Sequence, residues 1–296
     1  MAAEATPRLQ SWDLAPGDEL IPRCQVQAIL GGGLAYEAYA CFDQRLLASV
    51  VVKVVRPHLV ANTSTLRNLE RETGILGRLN HPVIVRGLHA DLGGPRPYLA
   101  MERVPGPRLS SLLRKYGSLS IDQFLPLGMQ IASALHYLHE HELVHLDVKP
   151  SNIIMDSTPR LIDFSIARSF EQALDLDHVV GTDQYLAPEQ AYPTGVFRVG
   201  PASDVWALGA TLVQAITGVG VFFEQRVVDS TVPHERWPQL TEDPPSSLPG
   251  VPDDIASVVL RCLARNPEHR PTPAEIFDTF DPWAERLPRP RLTHLR

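Results

Sequence analysis

Alternation of apolar and polar positions begins at Gln25. Gln25-Val26-Gln27-Ala28-Ile29-Leu30 reads as a strand, Gly31-Gly32-Gly33 as a turn, and Tyr36-Glu37-Ala38-Tyr39 as the returning strand. Residues 48–55 are an apolar, β-branched run broken only by Ser49 and Lys53, which predicts a buried strand with one charge inside it. Residues 63–79 have helical spacing, with Leu66, Leu69, Thr73, Leu76 and Asn80 near one stripe, and Pro82 follows as a stop signal. Two further strands are predicted over 83–88 and 98–104. Past Pro105-Gly106-Pro107 the pattern turns helical, over 109–116 and over 121–141, where Phe124, Leu127, Ile131, Leu135 and Leu138 are in register. Residues 143–166 alternate short apolar pieces with polar turns. Helices are predicted again over 204–217, 253–265 and 274–280, and the six prolines within 232–252 mark a connecting loop.

This order predicts an α+β chain of two lobes. A loose lead-in occupies 1–20, a small β-rich lobe with one main helix 21–104, a larger, mostly helical lobe 105–282, and a Pro/Arg-rich tail 283–296. There is no internal repeat. The 296 residues, 44% hydrophobic and 21% charged, suffice for two cores and exclude wholesale disorder. A formal charge of -7 speaks against a nucleic-acid partner. Cys24, Cys41 and Cys262 are far apart in sequence and form no Cys-x-x-Cys pair, so a disulfide framework or zinc knuckle is not expected. No apolar run reaches the roughly 18 residues of a membrane span, and Met1-Ala2-Ala3-Glu4 opens without a basic flank or apolar signal core. A cytoplasmic chain without a membrane span is expected.

Lysine usage is more pointed. There are three lysines, Lys53, Lys115 and Lys149, against 24 arginines. A genome rich in G and C accounts for the ratio but not for the positions. Lys53 lies inside Val50-Val51-Val52-Lys53-Val54-Val55, and a buried ammonium needs a partner. Glu70 and Glu72 on the following helix both qualify; Glu72 shares a face with Leu69 and Leu76 and is preferred, with a purely structural ion pair as the alternative. Gly31-Gly32-Gly33 could bring backbone N–H groups close to phosphates or simply turn a hairpin. His145-Leu146-Asp147-Val148-Lys149-Pro150-Ser151-Asn152, followed by Asp163-Phe164-Ser165, places polar groups on turns between apolar segments. Asn152 and Asp163 are hard oxygen ligands suited to Mg²⁺, Asp147 can accept a proton from a hydroxyl, and Lys149 can balance phosphate charge.

These residues resemble the eukaryotic-like (Hanks-type) Ser/Thr protein kinases of bacteria over residues 20–282. Leu30-Gly31-Gly32-Gly33 is similar to the start of their glycine-rich loop and Val50 to Lys53 to the lysine strand. Glu72 lies nine residues before His81, the spacing of the helix glutamate in that family. Lys149, two residues after the aspartate, is the Ser/Thr rather than the Tyr pattern. Gly181-Thr182 through Ala187-Pro188-Glu189, Asp204 and Arg270 resemble the activation-segment end, the buried helix aspartate and the arginine that pairs with glutamate.

The resemblance implies ATP and Mg²⁺ as cofactors and protein Ser/Thr hydroxyls as substrates, with self-phosphorylation among the routes. It implies catalytic roles for Asp147, Lys149, Lys53 and Glu72. Nucleotide contacts are implied for Leu30, Gly31, Gly32, Gly33, Ala38, Val51, Lys53, the gatekeeper Met101, the hinge residues Glu102 and Val104, Ile154 and Asp163, and metal contacts for Asn152 and Asp163. It further implies a packed column of Leu76, His145 and Phe164. A pseudokinase, an ATP-binding signalling module with little turnover, is the alternative. A small-molecule phosphotransferase of the same fold is disfavoured by Ala187-Pro188-Glu189 and Arg270.

The departures carry their own expectations. Tyr36 stands at the third glycine position, Ser165 stands where a glycine follows Phe164, and Leu146 replaces the arginine before Asp147. That arginine pairs with a segment phosphate in relatives that carry it, so activity independent of such a phosphate is expected. Asp175 and Asp177 are either fixed substitutes for that charge or solvated. Ala38 and Val51 exchange the family's large and small residues over adenine, which reads as a compensated roof above Ile154.

Overall fold

In the computed structural model, residues 10–222, 230 and 232–287 are described. The chain divides into two units, Met1–Asn80 with Val85–Val104, and His81–Ile84 with Pro105–Arg296.

The alternating segments of the first unit form a six-stranded antiparallel sheet. Its strands are β1 (Glu19–Ile21), β2 (Cys24–Gly32), β3 (Tyr36–Asp43), β4 (Ala48–Val55), β5 (Gly87–Asp91) and β6 (Tyr98–Glu102), in the order β1-β2-β3-β4-β6-β5. Tyr39, Cys41, Val50, Val52 and Val54 point to one face and make a core with Leu20, Val26 and Tyr98. The opposite face carries Tyr36, Ala38, Val51 and Lys53, all half-buried. Between β4 and β5 lies helix α1 (Thr63–Leu76), whose first turn is capped by Asn62 Oδ1 accepting from the Thr65 N–H at 2.9 Å. Its buried stripe is Thr65, Leu69, Glu72 and Leu76, with Ile75 alongside.

Several expected boundaries move. Helix α1 was expected to reach residue 79 but ends at Leu76; Gly77 caps it at helical dihedrals (φ -67°), its N–H still donating to Thr73 O at 2.9 Å, and the regular ladder stops there. The strand expected over 83–88 begins at Gly87 instead. Val83 and Ile84 are buried for another reason: the Leu161 N–H donates to Val83 O at 2.7 Å and Ile84 bridges Leu161, which places both in the second unit. A short apolar run reports burial but not which partner supplies it. The strand expected to reach 104 stops at Glu102.

The lead-in expected over 1–20 is described from residue 10, and from there it is held. Trp12 packs on the sheet core and its indole N–H donates to Val55 O at 2.9 Å. Cys24 and Cys41, distant in sequence, lie on the same face of the β2–β3 ladder, in which Val26 pairs with Cys41; both are buried free thiols, as is Cys262.

The second unit is built on helices α2 (Leu109–Tyr116) and α3 (Ile121–Glu140). Short strands β7 (Leu143–Val144), β8 (Ile153–Ile154), β9 (Arg160–Leu161) and β10 (Arg168–Ser169) pair as β7–β10 and β8–β9. Helices α4 (Phe170–Leu174), α5 (Pro188–Ala191), α6 (Pro201–Thr217), α7 (Pro233–Arg236), α8 (Asp253–Cys262) and α9 (Pro273–Ala284) complete it. Helix α8 is shorter and α9 longer than expected, and the expected loop over 232–252 contains α7. Helix α3 packs closely on α9, because Gly128 leaves room for the Phe280 ring, and a Cβ on Gly209 of α6 would come within 2.5 Å of Cys262 Cβ on α8. Of the expected tail, residues 288–296 lie outside the described residues, as do residues 1–9 of the lead-in.

Candidate active site

The site residues fall into two groups, one in each unit. In the first, β4 carries Lys53 onto the half-open face of the sheet, and α1 presents Glu72 from its buried stripe. Lys53 Nζ and Glu72 Oε2 are 2.7 Å apart, with the Glu72 side chain 1% exposed. Glu70 is exposed, and Glu72, on the face expected for the partner, is the glutamate that forms the pair. Ala38 is directly opposite Lys53 in the β3–β4 ladder, and Val51 is opposite both Ala40 and Met101. Ala38 and Val51 are therefore diagonal neighbours on one face.

The glycine turn has two different reasons for its glycines. Gly31 has φ 127°, a conformation that L side chains rarely adopt, while a Cβ on Gly32 would come within 2.6 Å of Tyr36 O. Leu30 is exposed beside them, and a Cβ on Gly33 would meet nothing within 4 Å. Position 36 has no positive φ. A tyrosine therefore replaces glycine there without backbone strain. Glu102 closes β6, and Val104 follows it in irregular chain.

In the second unit, the turn after β7 gathers a hydrogen-bonded set around Asp147. Thr182 Oγ1 donates to Asp147 Oδ1 at 2.8 Å, Asn152 Nδ2 donates to Asp147 Oδ2 at 2.9 Å, and Lys149 Nζ lies 2.7 Å from Oδ2. Lys149 also donates to Thr182 Oγ1 at 2.6 Å. The turn is anchored by Asp204 of α6, which is fully buried. Its carboxylate accepts the N–H groups of His145 at 2.8 Å and Leu146 at 2.7 Å. Those bonds hold Leu146 at φ 63°, and Asp163 stands at φ 66°. Non-glycine residues in this region cost about 1–3 kcal/mol and persist only where surroundings over-determine them.

Asn152 spends both amide hydrogens on Asp147, on the backbone and the side-chain oxygen. Its own side-chain oxygen accepts no hydrogen bond among the described residues. With the Asp163 carboxylate it offers oxygen ligands of the kind magnesium takes. Among the described residues, no group of three or more His, Cys, Asp or Glu could hold a metal. Magnesium is commonly held by one or two carboxylates, with water and substrate phosphates completing the shell, so the donor set fits such an ion.

Ile154 lies on β8, half-buried. His145 and Phe164 meet edge to face with ring centroids 4.7 Å apart. Leu146 is buried with Val144, Ala173, Leu176 and Val199, and Ile166, Phe170 and Val180 pack against them. Asp177 pairs with the adjacent His178 at 2.9 Å, and both are exposed, so this acid is solvated. Burial pushes the Tyr185 hydroxyl up to about 12, with Asp147 adding to the rise, and the hydroxyl donates to Gln214.

Further on, Glu189 and Arg270 form a bidentate pair at 2.6 and 2.9 Å with both side chains 0% exposed. Ser203 Oγ also donates to Glu189, and the Arg270 guanidinium lies over the Trp206 ring. Sequence reasoning missed two supporting glutamines. Gln190 donates to Leu146 O and Val180 O, and Gln239 donates to Asp183 O and Leu186 O. A surface-type residue in a loop carries no sequence signal for such a role.

A six-stranded antiparallel sheet bearing a lysine–glutamate pair, followed by a helical unit bearing the Asp147 set, defines the protein-kinase class of fold. A model of the protein kinase domain matches residues 24–283, and the chain belongs to that family. It is 35% identical over 261 residues to the serine/threonine-protein kinase PknB of Mycobacterium leprae, covering 85% of this chain and 41% of the relative. It is 34% identical over 270 residues to the DNA damage-responsive serine/threonine-protein kinase RqkA of Deinococcus radiodurans, covering 87% and 39%. The probable serine/threonine-protein kinase PkwA of Thermomonospora curvata is 32% identical over 255 residues, covering 83% and 32%. The chain thus spans about two fifths or less of the length of these relatives. Among the described residues no helix is long and apolar enough to cross a membrane.

Proposed function

We propose that the chain is a serine/threonine protein kinase that transfers the γ-phosphate of ATP to protein hydroxyls. The observation that carries this reading is the hydrogen-bonded set of Asp147, Lys149, Asn152 and Thr182. Asp147 would orient a substrate hydroxyl and take its proton. Lys149, 2.7 Å from that carboxylate, would counter the charge of the transferring phosphate. Lys53, fixed by Glu72, would hold the α- and β-phosphates. The backbone of Gly31 to Gly33 would approach phosphates, and Leu30, Ala38, Val51, Met101, Glu102, Val104 and Ile154 would contact the nucleotide. Asn152 and Asp163 would hold magnesium, which supplies charge neutralisation when bound. Such chemistry is positioning plus electrostatics, and the residues it needs are present.

We further propose that this activity needs no phosphate on the segment between Asp163 and Glu189. Leu146 cannot donate hydrogen bonds to a phosphate, and its side chain instead packs in the apolar cluster with Ala173, Leu176 and Val180. Three of the segment's hydroxyls already have work: Ser169 caps α4, Thr182 joins Lys149 to Asp147, and Tyr185 bonds Gln214. Apolar packing then does the ordering that an arginine–phosphate pair does elsewhere.

The test uses purified protein, labelled ATP and Mg²⁺, wild type beside Asp147→Asn. Transfer to the protein itself or to a generic protein substrate, lost in the variant, supports the kinase reading. ATP binding without transfer in the wild type makes the chain a pseudokinase. Phosphatase-treated enzyme should keep its rate, and a drop of tenfold or more would refute phosphate independence.

A further inference from the structure

Tyr36 stands where the family places a glycine, and its side chain reaches two places at once. In the β3–β4 ladder Tyr36 is opposite Val55 and Ala38 is opposite Lys53, so Tyr36 and Lys53 are diagonal neighbours on the same face. The Lys53 ammonium lies over the Tyr36 ring, 4.8 Å from its centroid. The Tyr36 hydroxyl donates to the Thr65 carbonyl at 2.9 Å.

Thr65 lies in the first turn of α1, and Glu72 lies seven residues further on, about 10 Å along the helix axis at 1.5 Å per residue. Both are on the buried stripe. Besides the apolar packing that sets Leu76 beside Gly87 of β5, polar contacts therefore tie α1 to the sheet at both ends of one face, at Thr65 by Tyr36 and at Glu72 by Lys53. Two ties separated by two turns fix its direction as well as its distance. The ring adds a third element, because an aromatic face attracts an ammonium and so supports Lys53 in the rotamer that reaches Glu72.

We propose that Tyr36 is a positioning residue that latches α1 to the glycine-turn strand and backs Lys53, so that the first unit holds the Lys53–Glu72 pair formed by itself. The proposal rests on the kinase reading for its consequence, since Lys53 is the residue through which Tyr36 acts on the nucleotide, but the latch is a property of the first unit and can be measured without activity. A glycine at this position makes neither contact. In this chain the residue that departs from the family pattern supplies rigidity that a glycine leaves to other parts of the protein.

The experiment uses the full chain as wild type, Tyr36→Phe, Tyr36→Leu and Asp147→Asn. Two readouts are taken: amide hydrogen exchange over residues 63–72, and kcat and KM for ATP with Mg²⁺. Tyr36→Phe keeps the ring and loses the hydroxyl. Exchange in the first turns of α1 should rise about threefold to tenfold, the range expected for one lost hydrogen bond, while exchange elsewhere in the sheet stays at the wild-type rate. Catalytic efficiency should fall by a similar factor. Tyr36→Leu should fall further, because it also removes the face under Lys53. Asp147→Asn should abolish transfer and leave α1 exchange as in the wild type. Wild-type exchange and wild-type kinetics in Tyr36→Phe would overturn the latch. So would a uniform rise across the whole sheet, which marks a residue that only stabilises the fold. Absence of transfer by the wild type would remove the kinase reading, and the exchange comparison would still decide the latch.

Discussion

Asp204→Asn isolates the anchor beneath the Asp147 turn. The aspartate carboxylate is fully buried and accepts two backbone N–H groups, from His145 at 2.8 Å and Leu146 at 2.7 Å, with His139 Nε2 at 3.2 Å. An asparagine of the same shape keeps one acceptor oxygen. Its amide nitrogen must then face an N–H group, donor against donor. A hydrogen bond to a charged group contributes about 1.5–3 kcal/mol, and a buried donor left unsatisfied costs about 1–3 kcal/mol. The two descriptions overlap, so the expected loss is about 3 kcal/mol. The effect on the turn is larger than on the fold. Leu146 holds φ 63° against a strain of about 1–3 kcal/mol, and the lost bond is of the size that holds it.

Once the backbone at 146 relaxes, Asp147 moves with it. A misplacement of about 1 Å at a reacting group can cost about 100-fold. The assay pairs thermal unfolding with kcat. Each kcal/mol shifts the midpoint by about 2–4 °C in a chain of roughly this size, so a fall of about 6–12 °C is expected. The rate, measured well below the transition, should fall about 100-fold. A midpoint within about 2 °C of the wild type together with a rate within twofold would refute the argument that Asp204 holds the strained turn.

Arg270→Met strands the buried Glu189 carboxylate with Ser203 as its remaining side-chain donor among the described residues, and should cost about 3–5 kcal/mol in urea unfolding; replacing both partners by apolar residues should cost less than the single change. Ala38→Val should weaken ATP binding, and Ala38→Val with Val51→Ala should restore it, with a coupling of about 0.5–3 kcal/mol by calorimetry; additive effects would show that the two residues do not compensate. At Asp43, burial alone would raise the carboxyl, but the His89 hydrogen bond and the N–H groups of Arg45 and Leu46 outweigh it and hold the group below its ordinary 3.8. A depressed carboxyl contributes stability above its unfolded pKa that is lost as pH falls through the folded value. Asp43→Asn should therefore flatten the stability loss below about pH 4, followed by denaturant midpoints between pH 2 and 7.

How far the sequence exposes such sites depends on where the deciding contact lies. Lys53 is legible because an ammonium interrupts an apolar strand and must be paired, and the helical face then selects Glu72 over Glu70. The short loops around Asp147 are legible because their spacing matches a family, not because a period reveals them. Glu37 shows the opposite case. In Tyr36-Glu37-Ala38-Tyr39 it reads as the polar member of an alternating strand, yet it is 1% exposed. Its carboxylate accepts from Arg56 at 2.7 Å, from the Tyr39 hydroxyl at 2.8 Å and from the Trp12 N–H at 3.2 Å. Two of those partners lie outside the strand, one in the segment expected to be loose, so no local pattern could assign the buried face.

The strained positions are hidden in the sequence for the same physical cause, a deciding contact far along the chain. Nothing in His145-Leu146-Asp147 marks Leu146 for a positive φ; a leucine prefers the opposite half of the map. The cause lies 58 residues further on, in the carboxylate of Asp204. The anchor could be recognised by resemblance, but its mechanical role required seeing both N–H groups on one carboxylate. Leu146 then has two separable functions. Its backbone holds the positive φ next to Asp147, and its side chain fills the apolar cluster, which on the proposed reading orders the following segment. Restoring an arginine at 146 would therefore keep the first function, since the backbone bonds to Asp204 do not depend on the side chain. It would break the second by placing a charge among Ala173, Leu176 and Val180. On the proposed phosphate-independent reading, Leu146→Arg is expected to lower kcat in the labelled-ATP assay, because it removes a side chain packed among these residues, and an unchanged kcat would count against that reading.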